Sequence, residues 1–331
     1  MYNNIFYIEA NCFNPKSHDL INMYFKKNFN SIKISNLKYI IDFIKENNNS
    51  NNTLLIYNQG DKVIKNITIN LMKFLKETNE KIHIKIYIFI FDFWYLTTNI
   101  ENKNIVSELR NIKNFYVLSF ANIEKLNYFN NFNINTKNNN IILFNSWSSY
   151  NSSFIKFNNN PINKILVTGR THKTHYPERN YILKLKLNDV VCYNYNNSDT
   201  NKNNNNYNIE LNKYVACFYS GVYVNRVNGS KQKEHTKILL LKFFEILSSG
   251  SLLVCDTKEI DLIESINMIN KKHFYAIDLS TNKKQIQSEI DFILNPENKK
   301  YIDNIRKNGQ IFSKEYLNSE HKFNELLSII N

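Results

Sequence analysis

A glutamate inside an apolar stretch is the first feature of this sequence that could do chemistry. Glu245 follows two aromatic residues and interrupts an apolar helical pattern that ends at Gly250. Glycine can end a helix, and the apolar run that follows, residues 252–255, predicts a buried strand closed by Asp256. A helix that leads into a buried strand is one step of a doubly wound α/β sheet, where ligands bind at the carboxyl ends of strands and helix N-termini attract phosphate. Glu245 is therefore a candidate ligand-binding residue.

Short apolar runs alternate with stretches of helical periodicity along the whole chain. Such alternation predicts βα units and largely parallel sheets. The predicted strands of the first half cover residues 5–8, 54–57, 84–91, 116–119 and 141–144, with helices at 37–45, 63–76 and 105–111. The predicted strands of the second half cover residues 165–168, 190–193, 215–219, 252–255 and 273–277, with helices at 177–186, 236–248, 258–266, 283–294 and 297–315. Asparagine-rich tracts are interpreted as loops or insertions because they have little to bury: 47–52, 135–140, 158–160 and 201–206.

The length of 331 residues favours two domains. Pro161 disfavours helix in the residue before it, and a new strand follows soon afterwards. We therefore expect a Rossmann-like first domain over residues 1–157 and a second over residues 158–331, facing a central cleft.

Charge and cysteine content limit the class of protein. The formal net charge is +13, but lysine is spread through asparagine- and isoleucine-rich sequence, which argues against nucleic acid as the partner. The positive field would suit an anionic substrate such as a nucleotide diphosphate. Four widely spaced cysteines without a CxxC pair predict buried, reduced thiols in a cytoplasmic protein. No signal peptide or membrane span is expected, because the most apolar window, residues 82–96, is short and charged.

Four segments of the second half, in this order, resemble the C-terminal domain of GT-B glycosyltransferases. They are residues 165–170 (ILVTGR), 175–179 (HYPER), 242–256 (KFFEILSSGSLLVCD) and 305–310 (IRKNGQ). The chain looks closest to the spore-maturation-type glycosyltransferase-like proteins and their relatives in large DNA viruses, for which the compartment would be the host cytoplasm or the virion. The resemblance implies two Rossmann-like doubly wound domains and a last helix, residues 320–330, that crosses back onto the first domain.

The resemblance also implies the reaction, a metal-independent transfer of a sugar from a nucleotide diphosphate sugar to an acceptor. In the family that the chain resembles, the glutamate at the position of Glu245 accepts hydrogen bonds from the ribose, and a carboxylate can accept two hydroxyl protons at once. Basic side chains and a helix N-terminus would neutralise the leaving diphosphate, with neither a metal nor a cofactor. The implied donor site consists of Glu245, Arg170, Gly169, Lys242, Lys237, Arg179 and Gly250.

One position departs from the family's pattern. Many retaining members carry an earlier glutamate eight residues before the ribose glutamate, whereas this chain has Lys237 there and the flanking acid, Glu234, does not match. The departure leaves open whether the transfer retains or inverts the sugar's configuration and whether the chain is active.

Several of the implied donor residues also have a purely structural interpretation. Glu245 could pair with Lys242, three positions earlier on a solvated helix face, and Arg170 could be an exposed loop arginine. The segment 175–179 could be a helix start with its proline in the first turn, and Arg179 could reach only a surface carboxylate.

A catalytic base, if the reaction needs one, should come from the first domain. His18 and Asp19 follow the first strand, in a loop that could instead provide a helix N-cap, and Asp92 ends the third predicted strand, where it could contact the acceptor. His172 and His175 have no third ligand nearby in sequence, so no metal site is assigned.

The function predicted from the sequence is therefore a glycosyltransferase with an unidentified acceptor. One alternative is a catalytically inactive GT-B-like binding protein, which would fit Lys237. Another is a basic nucleic-acid-binding protein, for which only the net charge argues.

Overall fold

The structure, a computed structural model, divides into two compact units. It describes residues 2–9, 27–33, 37–58, 62–78, 81–90, 112–119, 141–144, 155–169, 173, 175–193, 204–225, 233–235 and 238–331. The first unit groups Met1–Ser146 with Phe323–Asn331, and the second unit is Trp147–Lys322. Residues 147–157, which we expected in the first domain, therefore group with the second unit.

The first unit contains a six-stranded parallel sheet in the order β2-β1-β3-β4-β5-β6. Its elements are β1 (Tyr2–Glu9), β2 (Phe29–Lys33), α1 (Leu37–Glu46), β3 (Thr53–Asn58), α2 (Lys62–Glu77), β4 (Lys85–Ile90), β5 (Phe115–Ser119) and β6 (Ile141–Leu143). Five of these strands lie at the predicted apolar runs, and β2 is an addition that the sequence did not reveal. The helix predicted at residues 105–111 lies outside the described residues.

The C-terminal residues are part of this first unit. The Phe323 ring packs on Phe29 with 5.4 Å between ring centroids. The Tyr87 hydroxyl donates a hydrogen bond to the carbonyl oxygen of Ile329 at 3.4 Å. These contacts attach the end of the chain to β2 and β4.

The second unit contains a five-stranded parallel sheet in the order β13-β12-β9-β7-β8 and an antiparallel pair, β10 with β11. Its strands are β7 (Ile162–Thr168), β8 (Val190–Tyr193), β9 (Tyr214–Phe218), β10 (Tyr223–Asn225), β11 (Lys233–His235), β12 (Leu252–Asp256) and β13 (Tyr275–Ile277). Its helices are α3 (Pro177–Lys184), α4 (Asn204–Asn212), α5 (Leu241–Ser249), α6 (Ile260–Glu264), α7 (Lys283–Leu294) and α8 (Lys299–Tyr316), and α9 (Ser319–Ile330) ends the chain.

Helices cover both faces of this sheet because alternate strand residues point to opposite sides. Leu252 and Val254 belong to one buried core, which includes residues of α7 and α8. Leu253 and Cys255 belong to the other core, which includes residues of α5. The unit is therefore doubly wound, as predicted.

Two helices differ from the prediction. α4 begins at Asn204, inside the tract 201–206 that we interpreted as a loop, because Tyr207 and the fully buried Leu211 give the segment an apolar face. α5 begins at Leu241, whereas the prediction began it at residue 236. Leu240 is extended, and the Tyr219 hydroxyl accepts from the Leu240 N–H at 3.2 Å and donates to the Ile238 carbonyl oxygen at 3.3 Å.

The cysteines follow the prediction only in part. Cys217 and Cys255 are buried and free, but Cys192, on the edge strand β8, is exposed. Burial raises the pKa of Cys217 to about 12, so that thiol stays protonated at neutral pH. Cys12 lies outside the described residues.

The segment 305–310 has a structural role. Arg306 is fully buried and donates from Nε to the Gly250 carbonyl oxygen and from Nη2 to the Asn158 carbonyl oxygen, both at 3.1 Å. Gln310 Nε2 donates to the carbonyl oxygens of Ile155 at 2.8 Å and Ser248 at 3.0 Å. Hydrogen bonds of Arg306 and Gln310 therefore hold residues 155–158 against the turn between α5 and β12.

Candidate functional site

The strand order of the second unit reverses next to β7. β8 lies on one side of β7, and β9, the next strand of the sheet in the chain, lies on the other. Connections on opposite faces diverge at such a point and leave a crevice at the carboxyl ends of the strands. We call that side of the sheet the carboxyl edge; Thr168, Gly169 and Tyr219 lie there, at the ends of β7 and β9.

A chain of polar contacts connects the end of β7 with α5. The Tyr207 hydroxyl donates to Thr168 Oγ1 at 3.3 Å. Lys242 Nζ donates to the same hydroxyl and lies 3.7 Å from the centroid of the Tyr207 ring. Lys242 Nζ also pairs with Glu245 Oε2 at 3.0 Å, one helical turn away. The two charged side chains keep 16% and 19% of their surface exposed, so a ligand can reach both.

Arg179 lies beneath the turn that follows β7. It is 3% exposed, and its guanidinium lies 4.5 Å from the centroid of the Tyr176 ring. Gly169 has a φ of +95°, and a Cβ at that position would lie 2.9 Å from Arg179 Nη1. Only glycine allows both this backbone conformation and this close approach.

Charged groups of both signs lie at this end of β7, with Lys242 and Arg179 as the described cations. Burial lowers the pKa of Lys242, the pairing with Glu245 raises it, and the nearby charge of Arg179 lowers it further. Geometry places both cations at this strand end, since Arg179 approaches Gly169 and Lys242 is bonded through Tyr207 to Thr168. Either cation could face an anionic ligand.

A second cluster of buried polar groups lies beyond the end of β9. Glu178 Oε1 accepts a hydrogen bond from the Tyr223 hydroxyl. Glu259 Oε1 accepts from the Gly221 N–H at 3.0 Å and lies 2.8 Å from His235 Nε2. A Cβ on Gly221 would overlap the His235 ring and come within 2.6 Å of Glu259 Oε1, so this arrangement requires glycine.

Both carboxylates of this cluster are incompletely bonded. Glu178 is 7% exposed and Glu259 1%, and in the described part of the chain neither Oε2 has a hydrogen-bond partner. Burial raises the pKa of Glu178, and the charge of Glu259 raises it further, against the opposing hydrogen bond from Tyr223. A phosphate would be repelled here, so this cluster is not where the diphosphate would bind.

The segment 175–179 is built into the carboxyl edge. His175 Nδ1 lies 3.0 Å from the Tyr223 carbonyl oxygen, and the His175 carbonyl oxygen accepts from the Tyr223 N–H at 2.9 Å. Pro177 occupies the first turn of α3, as one interpretation of the segment predicted. Arg179, for which one interpretation gave only a surface carboxylate as partner, is a buried side chain.

The structure brings together four of the predicted donor residues: Glu245, Lys242, Arg179 and Gly169. Gly250 lies elsewhere, because it ends α5 with a φ of +77° at the opposite side of the sheet, which we call the amino edge. The remaining site residues, predicted as donor or catalytic groups, lie outside the described residues: Arg170, Lys237, His18, Asp19 and Asp92.

Sequence reasoning missed four residues of these two clusters. Tyr207 directly follows the tract 201–206, which was interpreted as a loop, and Glu178 lies in the segment 175–179, which was interpreted as a possible helix start. His235 and Glu259 flank the motif of Glu245 but belong to no recognisable pattern. The usable signal was position, since Glu259 lies four residues after the predicted strand 252–255 and must lie near its carboxyl end.

Two negative findings concern the described residues alone. Within them, no group of three or more histidine, cysteine, aspartate or glutamate side chains is placed to hold a metal ion. None of the described helices is long and apolar enough to cross a membrane.

Comparison with solved structures assigns the fold. The chain is similar to a glycosyltransferase from Rickettsia africae with a TM-score of 0.52 at 10% identity, covering 99% of this chain and 97% of that one. It is similar to Anabaena HepE, in a complex with UDP, with a TM-score of 0.55 at 7% identity and 99% of both chains covered. Its likeness to an S. aureus TarM variant in complex with fondaparinux, alpha-GlcNAc-glycerol and UDP has a TM-score of 0.51 at 15% identity; 89% of this chain spans 58% of that protein.

These neighbours are GT-B glycosyltransferases, and the chain has their α/β fold of two Rossmann-like units. A scan against protein-family models and a search of the curated proteins find no match.

Proposed function

We propose that the protein is a glycosyltransferase that takes a sugar from a nucleoside diphosphate sugar and transfers it to an acceptor without a metal. The observation that carries the proposal is the grouping of Glu245, Lys242 and Arg179 at the point where the strand order reverses. We further propose membership of the spore-maturation-type glycosyltransferase-like family and its viral relatives, on the order of the four sequence segments.

Each donor group has a role that its chemistry supports. The Glu245 carboxylate would accept hydrogen bonds from ribose hydroxyls, and its 19% exposure allows the contact. The buried guanidinium of Arg179 would hold the diphosphate, because a planar donor pair matches phosphate oxygens. Arg170 and Lys237 remain predicted as further cations.

The reaction breaks the bond between the anomeric carbon and the diphosphate and forms a bond from that carbon to an acceptor oxygen. The acceptor's proton passes to a base, for which His18, Asp19 and Asp92 remain the predictions. The departing diphosphate carries the negative charge, and fixed cations such as Arg179 stabilise it as it develops.

Uridine diphosphate is the first donor nucleotide to test. Anabaena HepE is described in complexes with UDP, with UDP and glucose, and with UDP-glucose. The likeness to that protein supports UDP as a probe, and the geometry around Glu245 does not itself select the base.

Calorimetry on the full chain with UDP, GDP, ADP and CDP tests the proposal, together with a sugar-transfer and hydrolysis assay on the matching nucleotide sugars. We expect one nucleotide to bind, and Glu245→Ala to weaken that binding at least tenfold. Glu264→Ala, an exposed acid on α6, is the matched control and should bind as the wild type does. A folded wild-type protein that binds none of the four nucleotides would refute the proposal.

A non-catalytic nucleotide-sugar-binding protein is the second candidate. Lys237 favours it, because a lysine stands where many retaining family members carry a glutamate. Binding of a nucleotide sugar without transfer or hydrolysis of any sugar would support this candidate over the enzyme.

A further inference from the structure

We propose that Lys242 is a positioning residue, held by Tyr207 and Thr168 so that it presents the Glu245 carboxylate to the ribose hydroxyls of the donor nucleotide. The inference rests on the proposed function. It departs from the expectation that Lys242 faces the diphosphate, and it assigns a role to Tyr207, a residue of α4 that no motif marks.

The contacts of Lys242 support a positioning role. An ammonium group has three N–H donors. One of these donors reaches Glu245 Oε2 at 3.0 Å and another reaches the Tyr207 hydroxyl, while the ring of Tyr207 lies 3.7 Å away. The ion pair engages Oε2 of the carboxylate and leaves Oε1 to a ligand. Lys242 therefore has little remaining capacity to bind a diphosphate.

Tyr207 connects this pair to a rigid part of the sheet. Its hydroxyl donates to Oγ1 of Thr168, the last residue of β7, which is fully buried. The hydroxyl accepts from Lys242 and donates to Thr168, so a single oxygen orders both partners. The position of Glu245 is thus tied to β7 as well as to its own helix.

The charge balance agrees with this division of roles. A lysine paired at 3.0 Å with a glutamate contributes little net field to an anion beyond the pair. The bonds of Lys242 to Glu245 and Tyr207 are made within this group of side chains. Lys242 therefore serves the ribose through Glu245, and the diphosphate is left to Arg179, the cation proposed for it above.

The test compares each of UDP, GDP, ADP and CDP with its 2′,3′-dideoxy form by calorimetry on the full chain. A hydrogen bond to a carboxylate should make the wild type prefer the ribose form by about tenfold or more. In Tyr207→Phe and Lys242→Met we expect the affinity for the ribose form to fall about five- to tenfold, while the affinity for the dideoxy form stays within about twofold, so that the preference is lost. Tyr316 is an exposed tyrosine on α8, and the control variant Tyr316→Phe should keep the wild-type preference for the ribose form.

The outcomes separate the inference from the function. If none of the four nucleotides binds the wild type, the proposed function fails and this inference with it. If a nucleotide binds but the wild type shows no preference for ribose, or if Lys242→Met weakens both forms equally, Lys242 does not act through the ribose and only the inference fails. Should Lys242→Met not fold, Tyr207→Phe decides, because it removes one oxygen and keeps the ring; an unchanged preference there overturns the proposal.

Discussion

Replacing Gly169 by alanine should separate the stability of the second unit from its ability to bind a nucleotide. A φ of +95° costs an alanine about 1–2 kcal/mol of unfolding free energy. The new Cβ would also lie 2.9 Å from Arg179 Nη1, so the guanidinium must move. Because that atom ends a flexible side chain, most of the steric effect falls on the position of Arg179 and not on stability. Loss of one charge-assisted hydrogen bond to the diphosphate should weaken nucleotide binding about tenfold or more.

Gly250→Ala is a matched control for this substitution. Gly250 also has a positive φ, +77°, and its Cβ would lie 3.0 Å from the end of another flexible side chain, at Gln310 Nε2. The loss of stability should therefore be of the same order, about 1–2 kcal/mol. Gly250 lies at the amino edge, however, so nucleotide affinity should stay within about twofold of the wild-type value.

Urea unfolding followed by circular dichroism measures the stability of both variants, and calorimetry with UDP, under conditions where each variant is folded, measures their affinity. The reasoning is refuted if Gly169→Ala binds UDP as the wild type does. It is equally refuted if Gly250→Ala loses as much affinity as Gly169→Ala, since the amino edge would then take part in binding.

Three further predictions concern buried groups of the second unit. Arg306→Met removes the ion pair with Asp303 and the hydrogen bonds to Gly250 and Asn158, and should lower the unfolding free energy by about 3–5 kcal/mol in urea titrations. Gly309→Ala places a Cβ 2.5 Å from the His273 carbonyl oxygen and should cost about 1–3 kcal/mol in the same assay. Burial raises the pKa of the Glu178 carboxyl in the folded chain above its value in the unfolded chain. The stability contributed by the protonated side chain is therefore fully present below the unfolded pKa and is lost as pH rises through the folded pKa. Glu178→Gln should remove this loss, so thermal unfolding measured across that pH range should show the stability of the variant rising relative to that of the wild type towards neutral pH.

The strands that were predicted correctly are those whose apolar residues form continuous runs. Buried parallel strands are covered on both faces and therefore show such runs in the sequence. β12, buried along its whole length, is one of them. β2 was missed because its two apolar residues, the buried Phe29 and the half-buried Ile32, form neither a continuous nor an alternating apolar pattern.

The sequence did not predict α4, because its local composition disfavours a helix whereas its packing in the folded chain favours one. An asparagine-rich stretch has low helix propensity. Tyr207 and Leu211 nevertheless lie four residues apart on one helix face, and Leu211 packs into a core of the second unit. Packing of that face outweighs propensity, and without the packing partners the sequence could not reveal a helix or the role of Tyr207.

The side-chain partners at the carboxyl edge depend on contacts that are distant in sequence. The carboxylate of Glu259 bonds with Gly221 and His235, and Glu178 bonds with Tyr223, 45 residues later. The sequence can place strand ends at one side of a parallel sheet, but it does not determine which side chains from different loops meet there. That is why Glu245 was singled out from its own motif, whereas the buried acidic cluster was not.

The motif of residues 242–256 also shows why residues close in sequence need not share a site. α5 runs antiparallel to the strand that follows it, so its N-terminus lies at the carboxyl edge and its C-terminus at the amino edge. A helix rises about 1.5 Å per residue, which puts Lys242 and Gly250 about 12 Å apart along its axis. Lys242 and Glu245 pair with each other near the crevice at the carboxyl edge. The Gly250 carbonyl oxygen instead accepts a hydrogen bond from Arg306, the residue that holds Asn158 in place. A single motif therefore combines a half that we propose binds the nucleotide with a half that is structural, and only substitutions in the first half should change nucleotide affinity.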